Sequence, residues 1–300
     1  MNEKICRDCP RNCGAPRTPE SGSGFCKMGL TPLIARAALH HWEEPCISGK
    51  RGSGAVFFSG CALGCVFCQN EPISRGGFGK AVSVFRLQKI YRELIAAGAH
   101  NINLVNPTHF TDAVSESLTE PLPVPVVYNC GGYERIETLR RLKGKINIYL
   151  PDLKYLNPGL AARCAQAPDY PDMAKAAIRE MVRQVGPVRL NEEGMLLSGV
   201  LIRHLILPGE VENALDAIDW VQESFPPKTV LLSLMGQYLP CGRAKQMPGL
   251  DRPLLEEEQH RVEEYLLCSG FEDGYLQELS SASEEYIPDF HLQGVEHAEK

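Results

Sequence analysis

The run Phe57-Phe58-Ser59-Gly60-Cys61-Ala62-Leu63-Gly64-Cys65-Val66-Phe67-Cys68-Gln69-Asn70 decides how this 300-residue chain is read. An apolar, β-type stretch leads directly into three cysteines spaced Cys-x3-Cys-x2-Cys on a glycine-bearing turn. Such spacing brings three thiols together, and thiolates are preferred ligands of iron–sulfur clusters and of zinc. Structural zinc takes four ligands. No Cys or His follows Cys68 until His100, so zinc would need a distant fourth ligand, with Cys46 the candidate. Three thiolates on a 4Fe-4S cubane leave one iron open to a non-protein ligand, and that is the reading adopted.

Outward from this run, strand-like and helix-spaced segments alternate. Apolar, β-branched runs at residues 55–59, 101–105, 124–128, 146–150, 200–207 and 229–234 read as strands. Between and after them, residues 84–97, 133–142, 174–185, 211–225 and 254–268 show helical spacing. Strands separated by helix-length segments are parallel, because the chain must cross over between them. Right-handed crossovers curl such a sheet toward a barrel. The expected fold is α/β, a partial (β/α)6 TIM-type barrel with an N-terminal Cys-rich extension. Residues 1–50 would form the metal-binding extension, 51–279 the barrel and 280–300 a C-terminal tail or strap. Segments 157–172 and 240–253 read as proline-rich loops. In barrels of this kind reactive groups sit on loops after the strands, and the cysteine loop directly follows the first strand.

Composition narrows the function classes. The chain is 44% hydrophobic and 23% charged with a net charge of -6, and no basic block suggests nucleic-acid binding. No apolar run approaches the roughly 20 residues of a membrane-spanning helix, and the start lacks a secretory signal. A cytoplasmic protein is expected. Twelve cysteines in that compartment read as metal or redox ligands rather than disulfides.

With these residues in view, Cys61-x3-Cys65-x-Phe67-Cys68 resembles the signature of the radical S-adenosylmethionine (SAM) enzymes. The surrounding Glu43-Glu44-Pro45, Ile47-Ser48-Gly49, Gly52-Ser53-Gly54, Phe57-Phe58-Ser59-Gly60 and Cys68-Gln69-Asn70 are similar to a group related to the pyruvate formate-lyase activating enzymes. The resemblance implies reductive cleavage of SAM at a 4Fe-4S cluster on Cys61, Cys65 and Cys68. The resulting 5′-deoxyadenosyl radical would abstract hydrogen from a substrate. It implies Phe67 near the adenine and Asn70 as a polar contact on the same loop. Asn106 and Thr108, after the second strand, stand where the family's Gly-Gly-Glu motif meets the SAM amino group; an amide and a hydroxyl can accept hydrogen bonds from an ammonium. Asp152-Leu153-Lys154 resembles the family's Asp-Leu-Lys, with Lys154 placed to pair with the SAM carboxylate and Asp152 to accept hydrogen bonds. Arg203 would point into the barrel and hold a carboxylate. Each of these charged groups has a plainer reading as a structural ion pair. Cys130 faces the mouth as a candidate substrate-side thiol, with a passive core role the plainer reading.

Cys6, Cys9, Cys13 and Cys26 form a second set of four thiols in 21 residues, fitted for zinc or for a second, fully ligated iron–sulfur cluster. The neighbouring His40-His41 and Glu43-Glu44 read as a solvated face or as caps on that site. Three functions compete: an activase acting on a glycyl-radical protein, a radical SAM enzyme acting on a metabolite or peptide, and a non-enzymatic iron–sulfur or zinc scaffold. The first two call for a low-potential reductant such as flavodoxin.

Overall fold

A computed structural model describes residues 4–271, 273–277 and 288–296. Eight strands are laid side by side in the order of the chain: β1 (Leu33–His40), β2 (Ser53–Phe58), β3 (Ile102–Val105), β4 (Val126–Cys130), β5 (Ile148–Pro151), β6 (Leu196–Leu205), β7 (Val230–Met235) and β8 (Gly274–Gln277). From β2 to β8 every neighbouring pair is parallel. All six expected strands are present, and β8 adds a short seventh to the parallel run. This central parallel sheet with crossover helices is the expected partial-barrel architecture.

β1 lies within residues 1–50, which the sequence reading assigned to the Cys-rich extension. It pairs antiparallel with β2, from Ile34 opposite Phe58 to His40 opposite Ser53. Its Ala-rich composition mutes the alternation on which strand recognition depends. Its other side accepts a strap from near the C-terminus, where the Ala37 N–H donates to Gln293 O at 2.8 Å and the Leu292 N–H to Ala35 O at 3.1 Å. Residues 280–287 and 297–300 of the expected tail lie outside the described residues.

Segment 157–172, read as a loop, contains a helix, Pro158–Ala165. Asn157 caps it by accepting from the Gly159 and Leu160 N–H groups, and Pro158 occupies the first turn, where its missing N–H costs nothing. The Asn157-Pro158 pair is therefore a helix start rather than part of a proline-rich loop. Helix Val84–Ala96 begins with the Ser83 side chain accepting from Arg86 N and buries Leu87, Ile90, Tyr91 and Leu94. The segment expected to be helical from residue 133 starts its helix at Ile136, leaving Tyr133 and Glu134 in the barrel wall.

Strand residues alternate between two apolar clusters, as a period of two requires. Val126, Tyr128, Tyr149, Val200 and Ile202 pack toward the helices. Val127, Ile148, Leu150, Leu201 and Leu231 pack inward against Cys46 and Ile47. The one-turn helix Pro45–Ser48 therefore plugs the barrel interior, with the Asn101 side-chain amide donating to Ile47 O at 2.7 Å. Among the described residues no helix is long and apolar enough to cross a membrane.

Candidate active site

The loops after the strands surround one cavity of about 280 Å³. Cys61, Cys65 and Cys68 line it after β2, Asn106 and Thr108 after β3, Cys130 and Glu134 at and after β4, Asp152 and Lys154 after β5, and Arg203 near the end of β6. Phe67 and Asn70 line it too. Every residue assigned from sequence to the cluster loop and the SAM site therefore borders a single space. Cys46 is excluded from it, packed in the barrel interior.

Each of the three thiols has a polar neighbour. The Leu63 N–H donates to Cys61 Sγ at 3.3 Å, Tyr155 Oη to Cys65 Sγ at 3.3 Å, and Ser74 Oγ lies 3.3 Å from Cys68 Sγ. Burial pushes the Cys65 thiol up to about 12, against the charge of Lys154 and the Tyr155 hydrogen bond. Burial raises Cys68 as well. Thiols this shielded ionise only when a bound cation supplies the compensating charge. Among the described residues no three His, Cys, Asp or Glu side chains close into an ion-binding cage. The three thiols face a cavity instead, with hydrogen-bond donors behind the sulfurs, which fits a ligand larger than one ion. A thiolate-bound cluster suits this donor set.

Opposite the thiols lies a charge network. Arg203 donates through Nε to Asp152 Oδ1 at 2.9 Å, through Nη1 to Glu43 Oε1 at 2.6 Å and through Nη2 to Asn129 Oδ1 at 2.8 Å. Lys154 Nζ lies 2.6 Å from Asp152 Oδ2. Burial alone would raise the Asp152 carboxyl, but Arg203 and Lys154 hold it below its usual value. The network corrects two sequence expectations. Arg203 already serves three protein acceptors, so it is the hub of an interior ion-pair network rather than a vacant carboxylate holder. Glu43 and Glu44 are inside the barrel, not on a solvated face and not caps on the N-terminal thiols. Glu43 Oε2 also accepts from Asn103 and Asn129 at 3.1 and 2.9 Å.

Asn106 and Thr108 are both engaged. Asn106 adopts a left-handed backbone with φ 59, and its side-chain amide donates to Gly60 O at 2.6 Å, tying the β3 loop to the start of the cysteine loop. Thr108 Oγ1 donates to Glu134 Oε1 at 2.6 Å, and Tyr128 Oη donates to Glu134 Oε2 at 3.1 Å. Burial pushes the Glu134 carboxyl up to about 7, against its hydrogen bonds from Thr108, Tyr128 and Cys130. Glu134 is the acidic group that sequence reading missed, because it fell inside a segment read as helix. The available signal was its place two residues after the Gly131-Gly132 turn at a strand end. Gly132 has φ +77, and a Cβ there would sit 2.1 Å from Asp152 O, so the two loops approach more closely than any side chain allows.

Phe67 packs edge-on against Tyr155 and Tyr238, with centroids 6.3 and 5.7 Å apart, forming an aromatic wall beside the thiols. Cys130 is buried, with its thiol raised well above the usual value by burial. In the N-terminal extension, Cys6 and Cys9 are buried, Cys26 is half-buried and Cys13 is exposed. Burial raises Cys9 to about 12 and raises Cys26.

The chain is thus an open, mostly parallel β/α partial barrel with its thiols and charged groups gathered at the strand ends. Two solved proteins share the fold. SuiB of Streptococcus suis, in complex with the precursor peptide SuiA, superimposes with a TM-score of 0.51 at 14% identity, over 75% of this chain and 49% of that one. Methylornithine synthase (PylB) superimposes with a TM-score of 0.50 at 14% identity, over 81% and 72%. The chain thus spans about half the length of SuiB. In sequence it is 28% identical over 265 residues to the uncharacterized protein MJ0674 of Methanocaldococcus jannaschii, covering 85% of this chain and 72% of that protein. No family model matches the chain.

Proposed function

We propose that this protein is a radical SAM enzyme acting on a peptide or small metabolite. The observation that carries the reading is the placement of Cys61, Cys65 and Cys68 on the wall of the cavity that Asp152, Lys154 and Glu134 also face. Cys61, Cys65 and Cys68 would hold a 4Fe-4S cluster. When bound, that cluster supplies the electron that cleaves SAM to methionine and a 5′-deoxyadenosyl radical.

The chain's own residues bind and orient. Lys154 offers an ammonium to a ligand carboxylate, while Asp152, Arg203 and Glu43 fix the position of that ammonium. Glu134 offers an acceptor for a ligand amino group beside Thr108, with Thr108 and Tyr128 setting its orientation. Phe67 offers the cavity a ring on which a flat base can pack, backed by the buried Tyr155 and Tyr238, and Asn70 lies on the same lining. The surrounding apolar residues exclude water, which protects radical chemistry from side reactions.

The peptide or metabolite assignment draws on the fold shared with a protein bound to a precursor peptide and with an amino-acid synthase. It is preferred to a glycyl-radical protein partner, for which no comparable support exists. A low-potential one-electron donor of the flavodoxin type completes the chemistry, and the cytoplasm is the compartment that suits it. The extension would hold zinc or a second cluster on Cys6, Cys9, Cys13 and Cys26.

Anaerobic reconstitution with iron, sulfide and SAM, followed by chemical reduction, tests the central reading. We expect methionine and 5′-deoxyadenosine from the wild type and neither from Cys65→Ala. Wild-type protein that takes up iron and yields neither product overturns it.

A further inference from the structure

The Cys-rich extension reaches into the cysteine loop through one side chain. Arg11 lies between Cys9 and Cys13. Its Nε donates to Ala62 O at 2.9 Å and its Nη2 to Leu63 O at 3.0 Å. The same Nη2 donates to Ala165 O at 2.6 Å, and Nη1 donates to Gln166 O. One guanidinium thus ties two consecutive carbonyls of the loop between Cys61 and Cys65 to the last turn of helix Pro158–Ala165. Only a planar fork with several fixed N–H vectors can serve four carbonyls at once. The fork is itself held in place: the Phe25 ring, adjoining Cys26, lies 4.0 Å from the guanidinium carbon, and the Tyr133 ring 5.4 Å.

The rest of the loop is secured elsewhere. Arg243 Nη2 donates to Gly64 O at 3.3 Å. The Val66 N–H donates to Cys164 O at 2.9 Å, and Val66 O accepts from the Ala244 N–H at 3.1 Å. The half of the loop between Cys61 and Gly64 has no regular secondary structure. Gly64 needs a left-handed backbone there, with φ +67. That half therefore depends on Arg11 for its carbonyl hydrogen bonds, and the spacing of Cys61 and Cys65 depends on that half.

We propose that Arg11 is a positioning residue for the 61–68 loop, so that the N-terminal extension is a working part of the active site. The inference rests on the proposed role of the loop as the cluster site. Arg11 does not reach the cavity as a ligand; it fixes the backbone from which Cys61 and Cys65 project.

Hydrogen exchange on the iron-free protein, followed by chelator challenge of the reconstituted protein, provides the test. In Arg11→Ala, amide exchange across residues 61–68 should rise by about tenfold or more, since the opened carbonyls lose charge-assisted bonds. Exchange in β3, β4 and β5 should stay at the wild-type level. The reconstituted variant should lose iron to a chelator faster than wild type does. Arg11→Lys keeps the charge but cannot span four carbonyls, and it should behave as Arg11→Ala does. The proposal is overturned if either variant exchanges and retains iron as wild type does. It is also overturned if exchange rises equally throughout the barrel, which marks a general packing role. Wild-type protein that takes up no iron would instead sink the proposed function, leaving the exchange result to judge Arg11 alone.

Discussion

Thr108 Oγ1 donates a 2.6 Å hydrogen bond to Glu134 Oε1, joining the loop after β3 to the loop after β4 across a buried carboxyl. Glu134 is raised to about 7 by burial, so inside the protein it is largely protonated at a pH where the unfolded chain would ionise it. Its contribution to stability is present in full below the ordinary carboxyl value of 4.5 and is lost as the pH rises through about 7. Glu134→Gln should therefore flatten the decline in stability between about pH 4.5 and pH 7, by about 1 to 3 kcal/mol. Denaturant titrations of both proteins across that range check this; parallel curves would refute it. Thr108→Val should raise the Glu134 midpoint further, because the lost bond favours the ionised form.

Arg203→Met should be strongly destabilising. Its guanidinium lies between Asp152 and Glu43, at 2.9 and 2.6 Å, and all three side chains are largely shielded from solvent. Removing the cation strands two carboxylates without their shared partner. A loss of about 3–5 kcal/mol is expected, measured by urea unfolding. The double variant Arg203→Met with Glu43→Gln should recover part of it.

Tyr155→Phe tests the hydrogen bond to Cys65 Sγ at 3.3 Å. A donor to a ligating sulfur stabilises the more negative, reduced state of a cluster. Its loss should move the midpoint potential downward, by an energy on the order of 1 kcal/mol. An EPR-monitored redox titration reads the shift, and an unchanged or higher potential would contradict it.

Gly132→Ala forces a Cβ to 2.1 Å from Asp152 O in a residue with φ +77. The loop after β4 or the loop after β5 must move. Thermal unfolding should show a loss of at least about 1 kcal/mol, and SAM affinity measured by equilibrium dialysis should fall with it.

Cys9→Ala addresses the N-terminal thiols. Metal counts on wild type and variant should differ by the content of one site, zinc or iron, with the iron proposed to sit on Cys61, Cys65 and Cys68 retained. Equal counts would show that the four-thiol set binds no metal.

The sequence determined the class of fold and the gathering of three thiols on one loop, because both are written in local patterns. Apolar runs of period two, separated by helix-length segments, require parallel crossovers, and three thiols within eight residues share one loop wherever that loop lies. Tertiary structure alone decided which charges serve the cavity. Glu43 and Arg203, 160 residues apart, meet because the chain between β1 and β2 folds into the barrel interior. Glu134 becomes a buried acid only because the turn after Gly132 keeps it out of the following helix. Arg11 reaches the cysteine loop because the extension packs over its carbonyls. Contacts of that kind are set by how distant segments close on one another, and no spacing along the chain encodes them.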